Sequence, residues 1–235
     1  MAETPTKRSA GRPRTRVLSV DQIVDAAFEL ARTAGPDGFT MAALARSLSV
    51  QPPALYHYFG GKGEVIRAMR GRLAGPIDTD GFADPDVPLD EAVSRWGRTY
   101  RDVFAAFPSG ITLLATTPVD GQQGSVDNYE AISRRLIDEG WAERDVVDTI
   151  VAFESFIIGS SLDALAPADI MSPGDAAATA PVFAAAEALR ARETAARGIR
   201  PTDRSFDLGL RAMLAGLRPA PAPEEPTSPS GSTVG

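Results

Sequence analysis

The chain has 235 residues, 43% hydrophobic and 23% charged, which is enough for one large globular domain or two smaller ones. It contains no cysteine and one histidine, His57, which excludes disulfides, thiolate nucleophiles and zinc sites built from paired cysteines or histidines. No apolar run is long enough to cross a membrane, and the polar N-terminus lacks the apolar core of a signal peptide. We therefore expect a cytoplasmic protein with no membrane partner.

The net charge of −7 is distributed unevenly along the chain. Residues 1–70 contain ten Lys or Arg and six Asp or Glu, a net charge of +4, whereas the remaining residues carry −11. A basic N-terminal part on an acidic body is typical of a DNA-binding domain joined to a domain with a different partner. A basic tail without a partner would give the same distribution, so composition leaves both interpretations open.

Apolar residues recur at intervals of three and four throughout, which predicts an all-α protein. Residues 1–18 are polar and basic, and we expect them to form a flexible arm. Ser19 and Gln22 have the spacing of a capping box at the start of a first helix. This helix is predicted to reach about Thr33, because Gly-Pro-Asp-Gly follows at 35–38.

Three short helices are predicted next. Thr40 caps a second helix that runs to about Leu48, and Pro52 begins a third that runs to about Tyr58. A Gly-Gly pair then precedes a fourth helix that begins at Lys62. The tight turn between the second and third helices predicts a helix-turn-helix, which places the third helix in the major groove of DNA.

The residue types in this motif suit contacts with DNA. The Thr40 hydroxyl and the free N–H groups beside it can bind a phosphate, and Lys62 adds positive charge at the start of the fourth helix. Gln51 can pair with the edge of adenine, and Pro53 and Ala54 can touch thymine methyl groups. A Gly-Arg-Pro-Arg sequence in the arm has the form of a minor-groove hook, although a solvated basic tail explains it equally well. The candidate DNA-binding residues are Thr40, Gln51, Pro53, Ala54, Tyr56, His57, Tyr58 and Lys62, with Arg14 and Arg16 of the arm.

The C-terminal part is also predicted to be helical. A segment rich in Asp, Pro and Gly at 75–88 contains or closely follows the domain boundary. The predicted domains are 19–75 for the helix-turn-helix domain, 88–218 for a helical bundle that binds ligand and dimerises, and 219–235 for a disordered tail. The helices of the C-terminal part are expected at about 89–107, 126–140, 143–166 and 203–217. A further Ala-rich helix, which ends at about 197, is expected between the last two of these.

The segment FTMAALARSLSVQPPALYHYFGGKGEVIRAM, residues 39–69, resembles the DNA-binding domain of the TetR family of bacterial repressors. Nine spaced positions match the family pattern, namely Thr40, Leu44, Ala45, Leu48, Val50, Leu55, Tyr56, Phe59 and Lys62. The resemblance implies that Tyr56 and Lys62 contact phosphates and that Gln51 and His57 lie toward the groove. Ser49 replaces the usual Gly and is expected at a helix end that favours φ > 0, at a cost of roughly 1 kcal/mol. Tyr58 replaces a frequent His.

Residues 104–166 are similar to the ligand-sensing domain of tetracycline repressors, especially in LLATTP at 113–118 and FIIGSSLDAL at 156–165. The similarity implies a ligand cavity inside the domain and a dimer interface built from two helices of each subunit, here 143–166 and 203–217. Candidate cavity residues, for which plain core packing is the alternative, are Trp96, Tyr100, Phe104, Leu113, Thr116, Thr117, Tyr129 and Phe153. Candidate interface residues are Phe156, Gly159, Ser160, Leu210, Met213 and Leu217.

One departure from this family predicts the class of effector. Tetracycline repressors bind their drug as a magnesium chelate through a histidine in the segment that LLATTP matches, and Leu113 stands at that position here. Leucine cannot ligate a metal. We therefore expect a mostly apolar organic effector, with Thr116 and Thr117 as polar contacts, and no metal or cofactor.

Taken with the motif, these features predict a homodimeric repressor that binds double-stranded operator DNA and is released by a small molecule. The same features would serve an activator, and one or two dimers per operator. An enzyme is the rival class, because Gly-Gly-Lys-Gly at 60–63 invites a P-loop interpretation. That interpretation fails, because Tyr56 occupies the position of the first glycine and Gly63 that of the required Ser or Thr. A purely architectural DNA-binding protein would not need the long C-terminal helical domain.

Overall fold

Ten α-helices and one short 3₁₀-helix make up the part of the chain that this computed structural model describes, residues 18–108, 111 and 118–219. These residues contain no β-strand, which confirms the all-α prediction. Tertiary contacts divide the chain between Met69 and Arg70 into an N-terminal unit and a C-terminal unit. The division lies inside a helix, where continuous apolar periodicity gives no sign of a boundary.

Four helices build the N-terminal unit up to the division. Its core comes from one face of the first helix, including Ile23 and Ala27, and from Leu44, Leu55 and Met69 of the others, all with no exposed surface. Such short helices are not stable alone, so each depends on this shared core. The helices are α1 (Val20–Gly38), α2 (Met41–Ser47), α3 (Pro52–Tyr56) and α4 (Lys62–Ala74).

Local signals begin and end these helices as the sequence predicts. The Ser19 hydroxyl accepts the Gln22 N–H at 3.2 Å and the Gln22 amide oxygen accepts the Ser19 N–H at 3.3 Å, which completes the capping box. The Thr40 hydroxyl accepts the Ala43 N–H at 3.1 Å and caps α2. Gly35 has φ 65° and ψ −176°, so α1 is broken there and ends in a separate turn rather than stopping near Thr33.

The C-terminal unit packs around its long central helices. Trp96 of α6 and Phe153 of α8 meet edge to face at 6.2 Å, and Phe206 and Leu210 of α10 are also buried. After the last residues of α4, its elements are α5 (Asp80–Ala83), α6 (Leu89–Ala105), α7 (Gln123–Asp138), α8 (Glu143–Asp163), the 3₁₀-helix Gly174–Ala178, α9 (Pro181–Arg197) and α10 (Pro201–Leu217).

Two elements differ from the sequence prediction. Residues 80–83 form α5 within the Asp-, Pro- and Gly-rich segment 75–88, where no helix was predicted, and Phe82 of this helix is buried edge to face against Trp96 at 6.0 Å. The 3₁₀-helix lies between the predicted helix 143–166 and the predicted helix that ends at about 197. Both are too short for periodicity to reveal, and tertiary packing stabilises α5.

Candidate DNA-binding surface and ligand cavity

The start of α3 presents side chains outward from a buried base. Leu55 is fully buried and Phe59 nearly so, and they anchor this five-residue helix, as the sequence predicts. Gln51, at the N-cap, and Pro53 are exposed, and Ala54 is half-buried. Gln51 makes no capping hydrogen bond with its side chain, so the cap leaves its amide available to a base edge.

The three residues after Leu55 are also exposed, but they differ in their attachments. Tyr56 is 54% exposed and His57 lies on the surface beside it. The Tyr58 hydroxyl donates a 2.5 Å hydrogen bond to the carbonyl oxygen of Leu18, the first described residue after the arm. Tyr58 therefore holds the beginning of the described chain against the helix-turn-helix, a role that the sequence did not indicate.

Thr40 and Lys62 lie at the starts of two helices, where free N–H groups attract phosphate. Thr40 is exposed, and its hydroxyl oxygen is the cap of α2. Lys62 is exposed as the first residue of α4, and its Nζ lies 5.5 Å from the centre of the Phe39 ring. Glu64 follows in the same turn, and its carboxylate accepts the Gly60 N–H at 2.6 Å. Arg14 and Arg16 lie outside the described residues.

A small cavity lies inside the C-terminal unit, between the end of α4 and helices α6, α7 and α8. The free space is about 30 Å³, which holds one or two water molecules. Four of the sequence-predicted residues line it, and they are the aromatic ones on α6 and α7. The lining residues are Arg70, Leu73, Ala74, Ile77, Trp96, Tyr100, Phe104, Ser125, Asn128, Tyr129, Ile132 and Glu154.

Four polar side chains of the cavity, those of Arg70, Tyr100, Tyr129 and Glu154, form one connected cluster. The hydroxyls of Tyr129 and Tyr100 both donate to Oε1 of Glu154, at 2.7 and 3.1 Å. Arg70 donates a longer bond of 3.4 Å to the Tyr129 hydroxyl. Burial raises the pKa of Glu154, although the hydrogen bonds from both tyrosines and the charge of Arg70 oppose it. Burial and the nearby Glu154 charge raise the pKa of Tyr129 to about 12 and raise that of Tyr100 as well.

The remaining predicted cavity residues have other placements. Phe153 is 2% exposed and packs on Trp96, so it supports the cavity wall without lining it. Leu113, Thr116 and Thr117 lie outside the described residues. Glu154 and Arg70, which bring negative and positive charge to the cavity, were not among the residues predicted from the sequence. A carboxylate between Phe153 and Phe156 in an apolar helix was the signal that could have found the first.

The candidate interface residues separate into core and surface. Leu210 is 2% exposed and belongs to the core of its own subunit, which departs from its predicted place on an interface. Phe156 stacks on Phe206 at 5.6 Å, and a methyl group at Gly209 would overlap its ring, so close packing at Gly209 occurs within the subunit. Gly159 and Leu217 are exposed, and Ser160 and Met213 are half-buried.

The described ranges contain neither a metal-binding cluster nor a membrane-spanning helix. No group of three or more His, Cys, Asp or Glu residues is arranged to hold a metal ion there. None of the helices in these ranges combines the length and apolarity that a membrane crossing requires.

Comparison with known proteins gives matches along most of the chain. Residues 23–69 match the model of the bacterial regulatory proteins of the tetR family, and residues 83–220 match that of the tetracyclin repressor-like C-terminal domain. The tetracycline repressor protein class A from transposon 1721 of Escherichia coli is 27% identical over 201 residues, which cover 85% of this chain and 90% of that protein.

Two solved structures share the fold. Streptomyces coelicolor ActR in complex with (S)-DNPA aligns with a TM-score of 0.60 and 22% identity, over 85% of this chain and 96% of ActR. Mycobacterium smegmatis BioQ with its double-stranded DNA operator aligns with a TM-score of 0.57 and 22% identity, over 86% of this chain and 98% of BioQ. Since the C-terminal family model alone spans more than half of the sequence, the protein belongs to the TetR family of bacterial regulatory proteins.

Proposed function

We propose that this protein is a cytoplasmic transcriptional repressor that binds a palindromic operator as a homodimer and leaves it when a small organic molecule enters the C-terminal cavity. The observation that carries the proposal is the exposed, braced start of α3 in one unit together with an internal cavity in the other. Family membership and the ligand and DNA complexes of ActR and BioQ support it.

DNA recognition is proposed to combine one base-reading amide with phosphate contacts. Gln51 is the exposed residue on α3 that suits an adenine edge, and Pro53 offers an apolar contact. Tyr56 and Thr40 are exposed with hydroxyls for phosphate oxygens, and Lys62 brings a positive charge. Because base contacts are few, we expect DNA shape to contribute to specificity.

Dimerisation is proposed to use a stripe of exposed apolar side chains on α8. Val147, Val151 and Leu162 are each at least 50% exposed, and their spacing places them with half-buried Ile158 on one face of the helix. Leu165, 56% exposed, follows just after the end of the helix. Leu208, 63% exposed, continues the apolar surface on α10, which packs against α8. A monomer rarely exposes this much contiguous apolar surface, so we propose that a second copy covers it.

Release from DNA is proposed to follow from a change in the cavity. Organic ligands occupy sites of about 300–1,000 Å³, at least tenfold more than the free space of about 30 Å³ in this cavity. The described conformation is therefore one in which the effector does not fit. An effector that binds an opened conformer with low DNA affinity shifts the population toward it, and no further device is needed.

We propose no catalytic role for the chain. Tyr100 and Tyr129 both bond to Glu154, and they carry raised pKa values that keep both hydroxyls protonated. Neither tyrosine is therefore an activated nucleophile or base near neutral pH. The family consists of regulators, which favours a binding role for this cavity.

Selection from a random oligonucleotide pool tests the DNA-binding part of the proposal. We expect an enriched palindrome whose half-sites lie about one helical turn, 10–10.5 bp, or a multiple of it, apart. Light scattering on the free protein should give the mass of a dimer at micromolar concentration. A pool with no enriched sequence, or a monomer at that concentration, would contradict the proposal.

The proposed absence of a metal from the effector complex has a separate test. Once a ligand is found by thermal-shift screening, release of operator DNA is measured with and without excess EDTA. We expect the same ligand concentration for half-release in both. Loss of release in EDTA that magnesium restores would show that a metal chelate is the true effector.

A further inference from the structure

The Glu154 carboxylate in the cavity has one oxygen bonded twice and one not bonded at all within the described part of the chain. Both tyrosine hydroxyls reach Oε1, and no described donor makes a hydrogen bond to Oε2. A carboxylate offers about four acceptor positions, and a partly buried one is stabilised when donors fill them. Glu154, which lines the cavity, therefore has acceptor capacity left at Oε2.

The charge balance around Glu154 indicates which donor the site lacks. Desolvation outweighs the two hydrogen bonds and the charge of Arg70, and the pKa of Glu154 is raised above its ordinary value. The carboxylate is thus incompletely compensated for its loss of water. A positive charge brought to Oε2 would complete the compensation, whereas a negative charge there would add repulsion.

Aromatic faces line the space beside this carboxylate. The rings of Tyr100 and Phe104 are stacked, with centroids 5.0 Å apart and an angle of 7°, and Trp96 meets Tyr100 edge on at 5.8 Å. Aromatic faces attract organic cations as well as flat apolar rings. The present 30 Å³ of free space is sufficient for an ammonium group in place of water, while a larger body requires the cavity to widen.

We propose that the effector is an organic cation, an amine on an aromatic body, whose ammonium group binds Oε2 of Glu154 and whose rings pack on Trp96, Tyr100 and Phe104. The inference rests on the proposed effector-releasing function and specifies the ligand class of that same cavity. A divalent metal is a poor alternative, because Glu154 is the one carboxylate among the described residues that line the cavity, and no histidine is among them to complete a coordination sphere.

A matched series of benzylamine, benzyl alcohol and benzoate tests this class directly, because the three share one ring and differ in charge. Trp96 fluorescence reports binding in a Trp141→Phe background, since the chain has two tryptophans. We expect a Kd for benzylamine about tenfold or more below that of benzyl alcohol, as a charge-assisted hydrogen bond provides, with benzoate weakest. Equal affinity of amine and alcohol, or tightest binding of benzoate at Arg70, would overturn the inference.

Glu154→Gln should remove the preference for the amine while benzyl alcohol still binds, because the amide oxygen can accept both tyrosine hydroxyls. Glu143→Gln is the matched control, with the same change of charge at an exposed position of the same helix. It should retain the full preference. A preference for the amine that survives Glu154→Gln would place the cation elsewhere and overturn the inference.

The pH dependence of ligand binding to the protein with Glu154 intact is a second measurement, and it does not depend on the folding of the Glu154→Gln variant. Benzyltrimethylammonium stays charged at every pH, so its Kd should rise as Glu154 gains a proton, beginning above the ordinary glutamate pKa of about 4.3. Tyr100 and Tyr129 have raised pKa values and keep their protons there, and the guanidinium of Arg70 is the other charged group that faces Glu154. A Kd independent of pH between 7 and 4.5 would overturn the inference.

Operator binding by the unliganded protein separates this inference from the proposed function. If the protein binds its selected operator and shows no preference for amines, the inference fails and the proposed function stands. If it binds no DNA selectively, the proposed function fails whichever ligand enters the cavity.

Discussion

Ser49 has φ 57°, a left-handed conformation that no other described non-glycine residue adopts. It follows Leu48, the C-cap of α2, and its N–H bonds to the carbonyl oxygen of Arg46 at 3.0 Å. A positive φ at Ser49 is expected from the sequence, because the family pattern that it resembles usually has glycine at this position. The structure confirms the positive φ. A side chain at such a position introduces a steric cost that glycine avoids.

Ser49→Gly should therefore stabilise the N-terminal unit by roughly 0.5–1 kcal/mol. This net gain is the steric strain that glycine relieves, reduced by the greater conformational entropy that glycine gives the unfolded chain. Urea unfolding followed by far-UV circular dichroism measures the change in midpoint. Ser47→Gly is the control, because Ser47 is helical and its hydroxyl bonds to the Leu44 carbonyl at 2.8 Å. That variant should be destabilised. A lower midpoint for Ser49→Gly would mean that the serine side chain has a favourable contact.

Lys62 and Gln51 should affect DNA binding in different ways. Lys62→Ala removes one phosphate contact, so operator and random DNA should both bind more weakly and the salt slope should fall by about one. Gln51→Ala removes base readout and should reduce the preference for operator over random DNA. Fluorescence anisotropy across a salt series measures both. An unchanged slope for Lys62→Ala would show that the lysine does not touch a phosphate.

At the level of elements, Arg101 connects three helices of the C-terminal unit. It is 3% exposed on α6, and it donates to the Ser160 carbonyl on α8 at 3.1 Å and to Asp203 on α10 at 2.8 Å. Its guanidinium also lies 4.8 Å from the centre of the Phe206 ring. Its Nη2 has no hydrogen-bond partner among the described residues, so this buried charge is only partly compensated.

Arg101→Met should destabilise the protein by about 2–3 kcal/mol, because it removes one partner of Asp203 and leaves the Ser160 carbonyl with only the Ala164 N–H as a partner. Arg200 still bonds to Asp203 at 2.8 Å, which keeps the loss near the lower end of the range for buried pairs. Arg98→Met is the matched control, since Arg98 joins α6 to Asp207 of α10 on the surface. It should cost under about 1 kcal/mol. Equal losses in thermal unfolding would argue against the buried connection.

Helix α8 shows what apolar periodicity can and cannot reveal about an element. Its sequence is apolar on more than one face, and that pattern alone does not tell a core face from an interface. In the structure Ile150, Phe153 and Ile157 are buried, while Val151 and Leu162 remain about half exposed. The packing of α6 and α10 against one side decides the difference.

At the scale of the whole molecule, the exposed α8 stripe should hold the dimer together. Val151→Arg changes a half-exposed side chain, so the subunit should still fold, but a buried pair of like charges across the two-fold axis should abolish dimerisation. Light scattering should give a monomer, and operator affinity should fall because one subunit reads one half-site. Val126→Arg on α7, 44% exposed in the subunit, is the control and should remain dimeric. A dimeric Val151→Arg protein would move the interface elsewhere.

The aromatic part of the cavity could be predicted and its charged part could not. Trp96, Tyr100 and Phe104 recur on one face of α6, and periodicity together with the family resemblance suffices to place them inside. Glu154 and Arg70 lie 84 residues apart in sequence and on different helices. Both are residue types that usually face solvent. Their meeting depends on how α4, α7 and α8 pack, which single-helix patterns do not encode.

By itself, the sequence determined the features that depend on neighbours along the chain. The capping box at Ser19, the Thr40 cap and the glycine breaks set the limits of the first helices, the spacing around Leu55 and Tyr56 defined the helix-turn-helix, and the apolar periods identified the core faces. These signals are local, because a helix is closed by hydrogen bonds between residues four positions apart. Tertiary structure alone decided that Leu210 is core, that Val151 is surface and that two tyrosines share one oxygen of Glu154. Burial and hydrogen bonding between distant helices depend on packing in three dimensions, where residues far apart in the chain exclude water from one another.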